Sequence, residues 1–389
     1  MEWKPWLTRW SQEWVSSADP AELDSEVARA SWLGFAAASP EDVAAVEARI
    51  GVRLPPSYRD FLLTTDGWRN AGMFVWRMRD TSTLGWLRDI EPFWGEGWEE
   101  FYDEGVEGEE ASNPFDQALM ISQEADAGIL FLDPTDVDEN GEWAAYSHFS
   151  WRAEPPTRLP SFTALMEDLY AQFHQMRQPE GETRDSWDAK VEQARLDTFA
   201  GDVDAPNSVL EQAGEFGRSR AAVLRAQLLV FLTHEYEALQ LLGQLLHPSF
   251  MPEGFLADPL FAEEFLPLLF VEHAQNASRG HNSILQSAML GERPEIHLVI
   301  ADYQARLRRS GQPLSYGNPE FDSLVRAALA AHRHDPDALW DRLKAALPQW
   351  RPRTADHIAP IVLLADPILA AAITPERGRE LLSQPRGNR

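Results

Sequence analysis

One stretch of the sequence carries oxygen side chains at metal-ligand spacing. Asp136, Asp138 and Asn140 alternate and precede Gly141, which matches the D-x-D-x-N-G opening of a calcium-binding loop. The twelfth position of such a loop needs a bidentate glutamate, and this sequence has Ser147 there. The flanking residues also have the composition of strands rather than of helices. The pattern therefore favours a solvated hairpin, and calcium binding is the less favoured alternative.

Signatures of other site chemistries are weaker. The chain has no cysteine, which excludes disulfides, thiolate zinc sites and cysteine nucleophiles. His332 and His334 are two residues apart and cannot share a helix face, and the sequence has no H-E-x-x-H motif. It also has no G-x-S-x-G nucleophile elbow and no G-K-S/T phosphate loop. We therefore predict a protein with no catalytic residues, metal or cofactor, although a catalytic triad assembled in space stays open.

The charge balance restricts the class of partner. The 389 residues include 62 acidic and 34 basic side chains, for a net charge of −28. Such a chain should repel nucleic acid and anionic membranes, so we expect a basic or neutral protein partner. Neither a signal peptide nor a membrane-spanning run is visible, and we expect a cytoplasmic protein. The oligomeric state is not predicted by the sequence.

Residues 94–110 combine dense acidity with aromatic side chains. The segment reads WGEGWEEFYDEGVEGEE, has eight acids and shows no regular period, so we expect a long acidic loop. Acids steer a basic partner, and Trp and Tyr dominate binding energy at interfaces. In the alternative, the aromatic rings only anchor the loop and the acids keep the protein soluble. The predicted partner-binding residues are Trp94, Trp98, Glu99, Glu100, Tyr102, Asp103, Glu104 and Glu107.

Several elements must position this loop. A tryptophan every three or four residues from Trp3 to Trp14 predicts a helix over residues 1–17. Its aromatic face could pack in the core or could bind a membrane or a partner, and the core is favoured. Ser39 as N-cap and Gly51 as C′ residue bound a second helix over 40–50, and a third starts at Pro55-Pro56.

Strands and one more helix follow in the N-terminal half. Residues 73–78, 118–121, 128–132 and 143–149 have strand composition, and the dipeptide at 140–141 predicts a hairpin turn. A helix is expected over 161–173.

The remainder of the chain has helical patterns. The segment Val223 to Leu246, with a break near Thr233-His234, resembles a helical hairpin of the tetratricopeptide type, without a fixed-period repeat. Further helices are predicted at 260–276, 296–309, 320–332, 336–347 and 354–373.

The segment RIGVRLPPSYRDFLLTTDGW, residues 49–68, resembles the signature of the SUKH superfamily, which includes a fungal cell-wall regulator and many bacterial immunity proteins. The resemblance extends over about residues 30–175 and includes GILFLDP at 128–134 and Phe162. It implies an α+β fold with a mixed sheet and flanking helices. The acidic segment and the tryptophan-rich N-terminus are additions to the family core. The motif residues, each of which has a packing role, are Glu47, Ile50, Gly51, Leu54, Pro55, Tyr58, Phe61, Leu62 and Gly67.

Together these observations predict a SUKH-like α+β domain at 1–178, a linker at 179–185 and an all-α domain of helical hairpins at 186–389. The resemblance implies an immunity protein, and the charge implies that it binds and neutralises a basic toxin, of nuclease or deaminase type. One alternative is a regulatory scaffold with the helical domain as docking module. Another is an uncharacterised enzyme.

Overall fold

The computed structural model describes residues 2–21, 23–96, 113–232, 235–247, 250–290, 293–310 and 314–386. The chain divides into two compact units, Met1–Arg184 and Asp185–Arg389. The first combines sheets with flanking helices and the second is helical, so the predicted fold class, α+β followed by all-α, is confirmed.

The first unit contains seven helices and seven strands among the described residues. The helices are α1 (Trp3–Ser17), α2 (Ser25–Ala30), α3 (Pro40–Ile50), α4 (Pro56–Leu62), α5 (Leu87–Ile90), α6 (Phe93–Glu96) and α7 (Phe162–Arg177). The strands are β1 (Val75–Met78), β2 (Gly85–Trp86), β3 (Leu119–Met120), β4 (Ser122–Ala125), β5 (Gly128–Val137), β6 (Trp143–Phe149) and β7 (Thr157–Leu159).

The tryptophan face of α1 is part of the core. Trp3, Trp10 and Trp14 are buried, and so is Leu7 between them. Trp3 packs on Phe61 of α4, with ring centroids 5.4 Å apart. The core interpretation of this face is confirmed, and these three rings are not available to a membrane or a partner.

The ends of α3 follow from local hydrogen bonds. The Ser39 hydroxyl accepts from the Asp42 amide at 3.1 Å, and the Asp42 carboxylate accepts from the Ser39 amide at 3.0 Å, which forms a capping box. At the other end Gly51 has φ +80°, a left-handed conformation that favours glycine. The predicted bounds, 40–50, are confirmed.

Two sheets form the β part of the first unit. Five strands pair in the order β2-β3-β5-β6-β7, and β1 pairs with β4. The β5–β6 hairpin turns at Asn140-Gly141, where Gly141 has φ +80° and donates its amide to the Asp138 carbonyl at 3.1 Å. Every strand pairing among the described residues is antiparallel, which differs from the mixed sheet that the resemblance implied. Short connections such as this turn can join only antiparallel neighbours, since parallel strands need a long crossover.

The chain leaves the first unit through a short connection after α7. Residues 178–181 precede α8 (Glu182–Ala200), so a helix already begins within the predicted linker 179–185. The further helices are α9 (Asp204–Glu215), α10 (Ser219–Leu229), α11 (Glu235–Leu245), α12 (Leu266–Arg279), α13 (Ile284–Leu290), α14 (Pro294–Ser310), α15 (Pro319–His332), α16 (Pro336–Ala346), α17 (Pro367–Ala372) and α18 (Pro375–Leu382). A π-helical turn, Phe261–Phe265, leads into α12.

The predicted helix over 354–373 is wrong. The chain there is irregular up to a 3₁₀ turn, Ile361–Ala365, and only α17 is α-helical. Pro360 and Pro367 interrupt helical hydrogen bonding. The buried side chains of Gln227 and Glu264 provide partners for the backbone instead: Gln227 accepts from the Ile358 amide and Glu264 from the Val362 amide, at 2.8 and 2.9 Å.

Among the described residues, no helix combines the length and the apolar character that a membrane crossing requires.

We expect Leu62→Ala to lower the free energy of unfolding by about 2–5 kcal/mol, because Leu62 is fully buried in α4 and its truncation leaves a cavity. Urea unfolding followed by tryptophan fluorescence would measure the change, since 12 of the 15 tryptophans lie in residues 1–180. A loss of much less than about 1 kcal/mol would show that α4 is not part of the cooperative core.

Candidate partner-binding site

The structure describes one of the eight predicted partner-binding residues. Trp94 lies in α6, and its indole Nε1 donates to the Glu91 carboxylate at 2.8 Å. The other seven lie outside the described residues: Trp98, Glu99, Glu100, Tyr102, Asp103, Glu104 and Glu107. The structure therefore locates only the residues that flank positions 97–112, the part of the acidic stretch that contains the other seven residues.

Its start is anchored on the sheet by Trp94. The Trp94 ring meets the His148 ring of β6 edge to face, with centroids 5.5 Å apart. Phe93, which precedes it, is 58% exposed. One aromatic ring thus anchors the start of the segment, and a second remains on the surface beside it.

The residues that follow the acidic segment are anchored on His148 as well. Phe115 is buried and contacts both His148 and Phe131 of β5, with centroid distances of 5.6 and 5.3 Å. A Cβ added at Gly95 would lie 3.8 Å from Phe115 and 3.9 Å from the Asn113 side chain. The two ends of the acidic segment therefore converge over His148.

The sequence around this place is acidic over a long stretch. Between Arg88 and Arg152 there are 18 aspartates and glutamates and no lysine or arginine. A few of these acids have partners elsewhere in the unit: Asp136 pairs with Arg158, and Glu142 accepts from Ser57 at 2.6 Å. Most of the negative charge thus has no basic residue near it in the sequence.

Sequence reasoning missed an exposed tryptophan, Trp151. Trp151 follows β6 and is 49% exposed, and its indole donates to the Asp126 carbonyl at 3.1 Å. Its ring contacts Phe74 and Phe149, and the Arg152 guanidinium lies 5.2 Å from its centroid. Phe74 is distant in sequence, and only the β1–β4 pairing brings it to this place. The one available signal was a tryptophan in a polar turn.

The family-motif residues form a packing unit. Glu47 of α3 accepts from the Leu54 amide at 3.1 Å, which holds the connection to α4. Tyr58 and Phe61 are fully buried and pack on Phe162 at the start of α7, with centroids 4.7 and 5.0 Å apart. Burial raises the pKa of the Tyr58 hydroxyl. Tyr58, Phe61 and Phe162 therefore belong to the core and are not accessible to a ligand.

The calcium-like sequence forms the hairpin turn. Asp138 accepts from the amides of Asn140 and Glu142, each at 2.8 Å. Asp136 forms an ion pair with Arg158, and hydrogen bonds from this guanidinium hold the pKa of Asp136 below its usual range. These oxygens already have protein partners, and among the described residues no group of three or more His, Asp or Glu could hold a metal ion.

A buried carboxylate joins α1 to α7. Glu13 accepts from the Tyr170 hydroxyl, from His174 Nε2 at 2.9 Å and from the Thr183 amide at 3.2 Å. Burial acts to raise the pKa of Glu13, but hydrogen bonds from His174 and Tyr170 outweigh burial and lower it. This carboxylate stabilises the packing of α1 on α7, and its three partners, distant in sequence, were not predicted.

Stability should depend on pH through His148. Burial lowers the pKa of this imidazole in the folded state, so the unfolded chain takes up a proton more readily. The free energy of unfolding should therefore decrease as the pH falls through about 6.5, the ordinary pKa of histidine, and this component should be absent in His148→Gln. Urea unfolding between pH 5 and 8 would measure it. An NMR titration that places the pKa of His148 at or above the ordinary value would contradict this expectation.

Comparisons with known proteins agree with this architecture. Residues 37–168 match the model of the SMI1 / KNR4 family (SUKH-1). No curated protein and no solved structure matches the chain. The matched range begins just before α3, includes the buried motif and all seven strands, and ends within α7. The first unit of this protein therefore carries a SUKH-type domain.

Proposed function

We propose that this protein is a non-catalytic, cytoplasmic binding module of the immunity type, which binds and neutralises a basic toxin domain of the nuclease or deaminase class. The observation that carries the proposal is the convergence of both ends of the acidic segment 97–112 over His148, within a stretch that has 18 acids and no basic residue. The match of residues 37–168 to the SMI1 / KNR4 family supports a role in protein binding.

Electrostatics explain how such a surface would act. A concentration of one sign of charge raises the rate of association with an oppositely charged partner by about 10–10³-fold at low salt. A basic nucleic-acid enzyme has a cationic cleft, so an acidic segment that occupied it would block access of the substrate.

Aromatic residues beside the acids would add binding energy. Phe93 and Trp151 are exposed in the same unit, and Trp98 and Tyr102 belong to the acidic segment itself. Trp and Tyr are the residues at which truncation most often costs affinity. The proposed contact thus combines charge steering with aromatic anchors.

We propose that the SUKH-like unit, 1–178, makes the main contact and that the helical unit, 186–389, extends the protein beyond the linker at 179–185. The second candidate is a regulatory scaffold that uses the helical unit for docking. It is favoured by apolar side chains exposed on that unit, among them Leu290 (80%) and Leu298 (69%), because exposed apolar groups often mark interaction surfaces.

Affinity capture of the tagged full chain from its own cells, at low and high salt, would distinguish the two candidates. An immunity protein should retain one stoichiometric basic protein, more at low salt than at high salt. A broad set of substoichiometric proteins would support the scaffold. An empty capture would contradict both and would favour an enzymatic role.

Reversal of four acids of the segment should slow association with the captured partner. We expect the combined substitutions Glu99→Lys, Glu100→Lys, Asp103→Lys and Glu104→Lys to lower the association rate at low salt by at least about tenfold, because they remove local steering. Stopped-flow or surface plasmon resonance would measure the rate, and circular dichroism would check the fold.

A matched control distinguishes the effect of charge within the acidic segment from the effect of the net charge of the protein. Glu2, Glu41, Asp60 and Glu154 are exposed acids of the same unit outside the stretch between Arg88 and Arg152, and their reversal to lysine changes the net charge from −28 by the same amount. The control should retain a rate close to that of the parent protein. Equal rates for both variants would exclude the acidic segment from the contact.

A further inference from the structure

The helical unit contains a cavity of about 810 Å³. It lies among α11, α12 and α13, and Leu239, Leu246, Ile284 and Ala288 form apolar parts of its wall. This volume is within the range of small-molecule sites, which combine mostly apolar walls with a few placed polar groups.

Glu272 of α12 is the first of these polar groups. The residue is about nine-tenths buried and lines the cavity. One carboxylate oxygen, Oε1, accepts from the Asn276 side chain and from the Ile284 amide at 3.2 Å. The other, Oε2, is buried and has no hydrogen-bond partner within the described part of the chain. A buried carboxylate oxygen without a partner is costly, so this atom favours a ligand that donates to it.

Arg293 is the second polar group of the same cavity. It directly precedes α14, and its carbonyl accepts from the His297 amide at 3.3 Å. Its Nη1 is buried and likewise has no hydrogen-bond partner in the described ranges. A guanidinium binds carboxylates strongly, and the positive end of the α14 dipole favours an anion at this point.

The two groups together determine the class of ligand. A simple cation would leave Arg293 Nη1 without an acceptor, and a simple anion would leave Glu272 Oε2 without a donor. A ligand that carries both charges on an apolar body can donate to Glu272 and accept from Arg293. Its apolar body can pack against the apolar walls of the cavity.

We propose that this cavity binds a small apolar zwitterion, a molecule with a protonated amine, a carboxylate and a large hydrophobic body, such as a dipeptide of apolar residues. Glu272 Oε2 accepts from the amine, Arg293 Nη1 donates to the carboxylate, and Leu239, Leu246 and Ile284 contact the hydrophobic body. The cavity belongs to the helical unit and the acidic segment to the first unit, and the test of the cavity does not depend on the proposed toxin partner.

The first test uses three probes on the unmodified full chain, so it needs no variant to fold. Isothermal titration calorimetry would compare leucyl-leucine, N-acetyl-leucyl-leucine, which lacks the amine charge, and leucyl-leucinamide, which lacks the carboxylate. We expect leucyl-leucine to bind and each blocked probe to have a Kd at least about tenfold higher, as expected for loss of one charge-assisted hydrogen bond.

The second test assigns each charge to its residue. Glu272→Gln keeps an oxygen for the Ile284 amide but removes the negative charge, and Arg293→Gln removes the positive charge. Each should raise the Kd of leucyl-leucine at least about tenfold, and Glu272→Gln should abolish the preference over the N-acetyl probe. Glu253→Gln and Arg279→Gln, at exposed positions of the same unit, make the same charge changes and should leave the Kd unchanged.

Two results would overturn the proposal. One is the absence of binding of leucyl-leucine at millimolar concentration. The other is binding with a Kd that neither the blocking groups nor the two cavity substitutions change, which would place the dipeptide elsewhere.

Discussion

Packing of aromatic rings among three helices is the interaction on which the first unit depends. Phe162, the first residue of α7, contacts Trp3 of α1 at 5.5 Å and Tyr58 of α4 at 4.7 Å between ring centroids. Aromatic side chains bury large areas, and their edge-to-face contacts restrict the geometry further. Glu13 adds a buried hydrogen-bonded group between α1 and α7. Because α7 also packs on β6, this core positions the strand that carries His148, and with it the anchor of the acidic segment.

The helical unit depends on buried polar side chains in a different way. Its irregular segment around Ile358 lies in the core, where the backbone has no helical partners. The Gln227 side chain accepts a hydrogen bond from the Ile358 amide, and the Glu264 side chain accepts one from the Val362 amide. Arg386 donates to the Ile358 carbonyl at 2.6 Å. These bonds satisfy groups that would otherwise be costly to bury. Glu272 differs from them, since one of its oxygens lines a cavity and has no such partner in the described ranges.

The proposal that the acidic segment contacts a partner rests on its charge and on the anchoring of the residues beside it. Negative charge spread evenly over a protein mainly favours solubility, whereas a long stretch without a basic residue produces a local field that can orient a partner. The structure adds that both ends of this segment are held at one place by Trp94 and Phe115.

The sequence alone determined the features whose causes are local. The bounds of α3 follow from Ser39, Asp42 and Gly51, and the β5–β6 turn follows from Asn140-Gly141, because capping and turn conformation depend on a few neighbouring residues. The resemblance of the motif around Tyr58 to the SUKH superfamily also implied the α+β fold of the first unit.

Only the tertiary structure decided the features that join distant residues. The segment 354–373 has helical composition, yet its backbone bonds to Gln227 and Glu264, more than ninety residues away. The presence of Glu272 and Arg293 in the wall of one cavity, and the meeting of Trp94 and Phe115 at His148, likewise depend on where helices and strands pack. A local pattern predicts which conformations a segment favours, but the partners of its polar groups are determined by the folded chain.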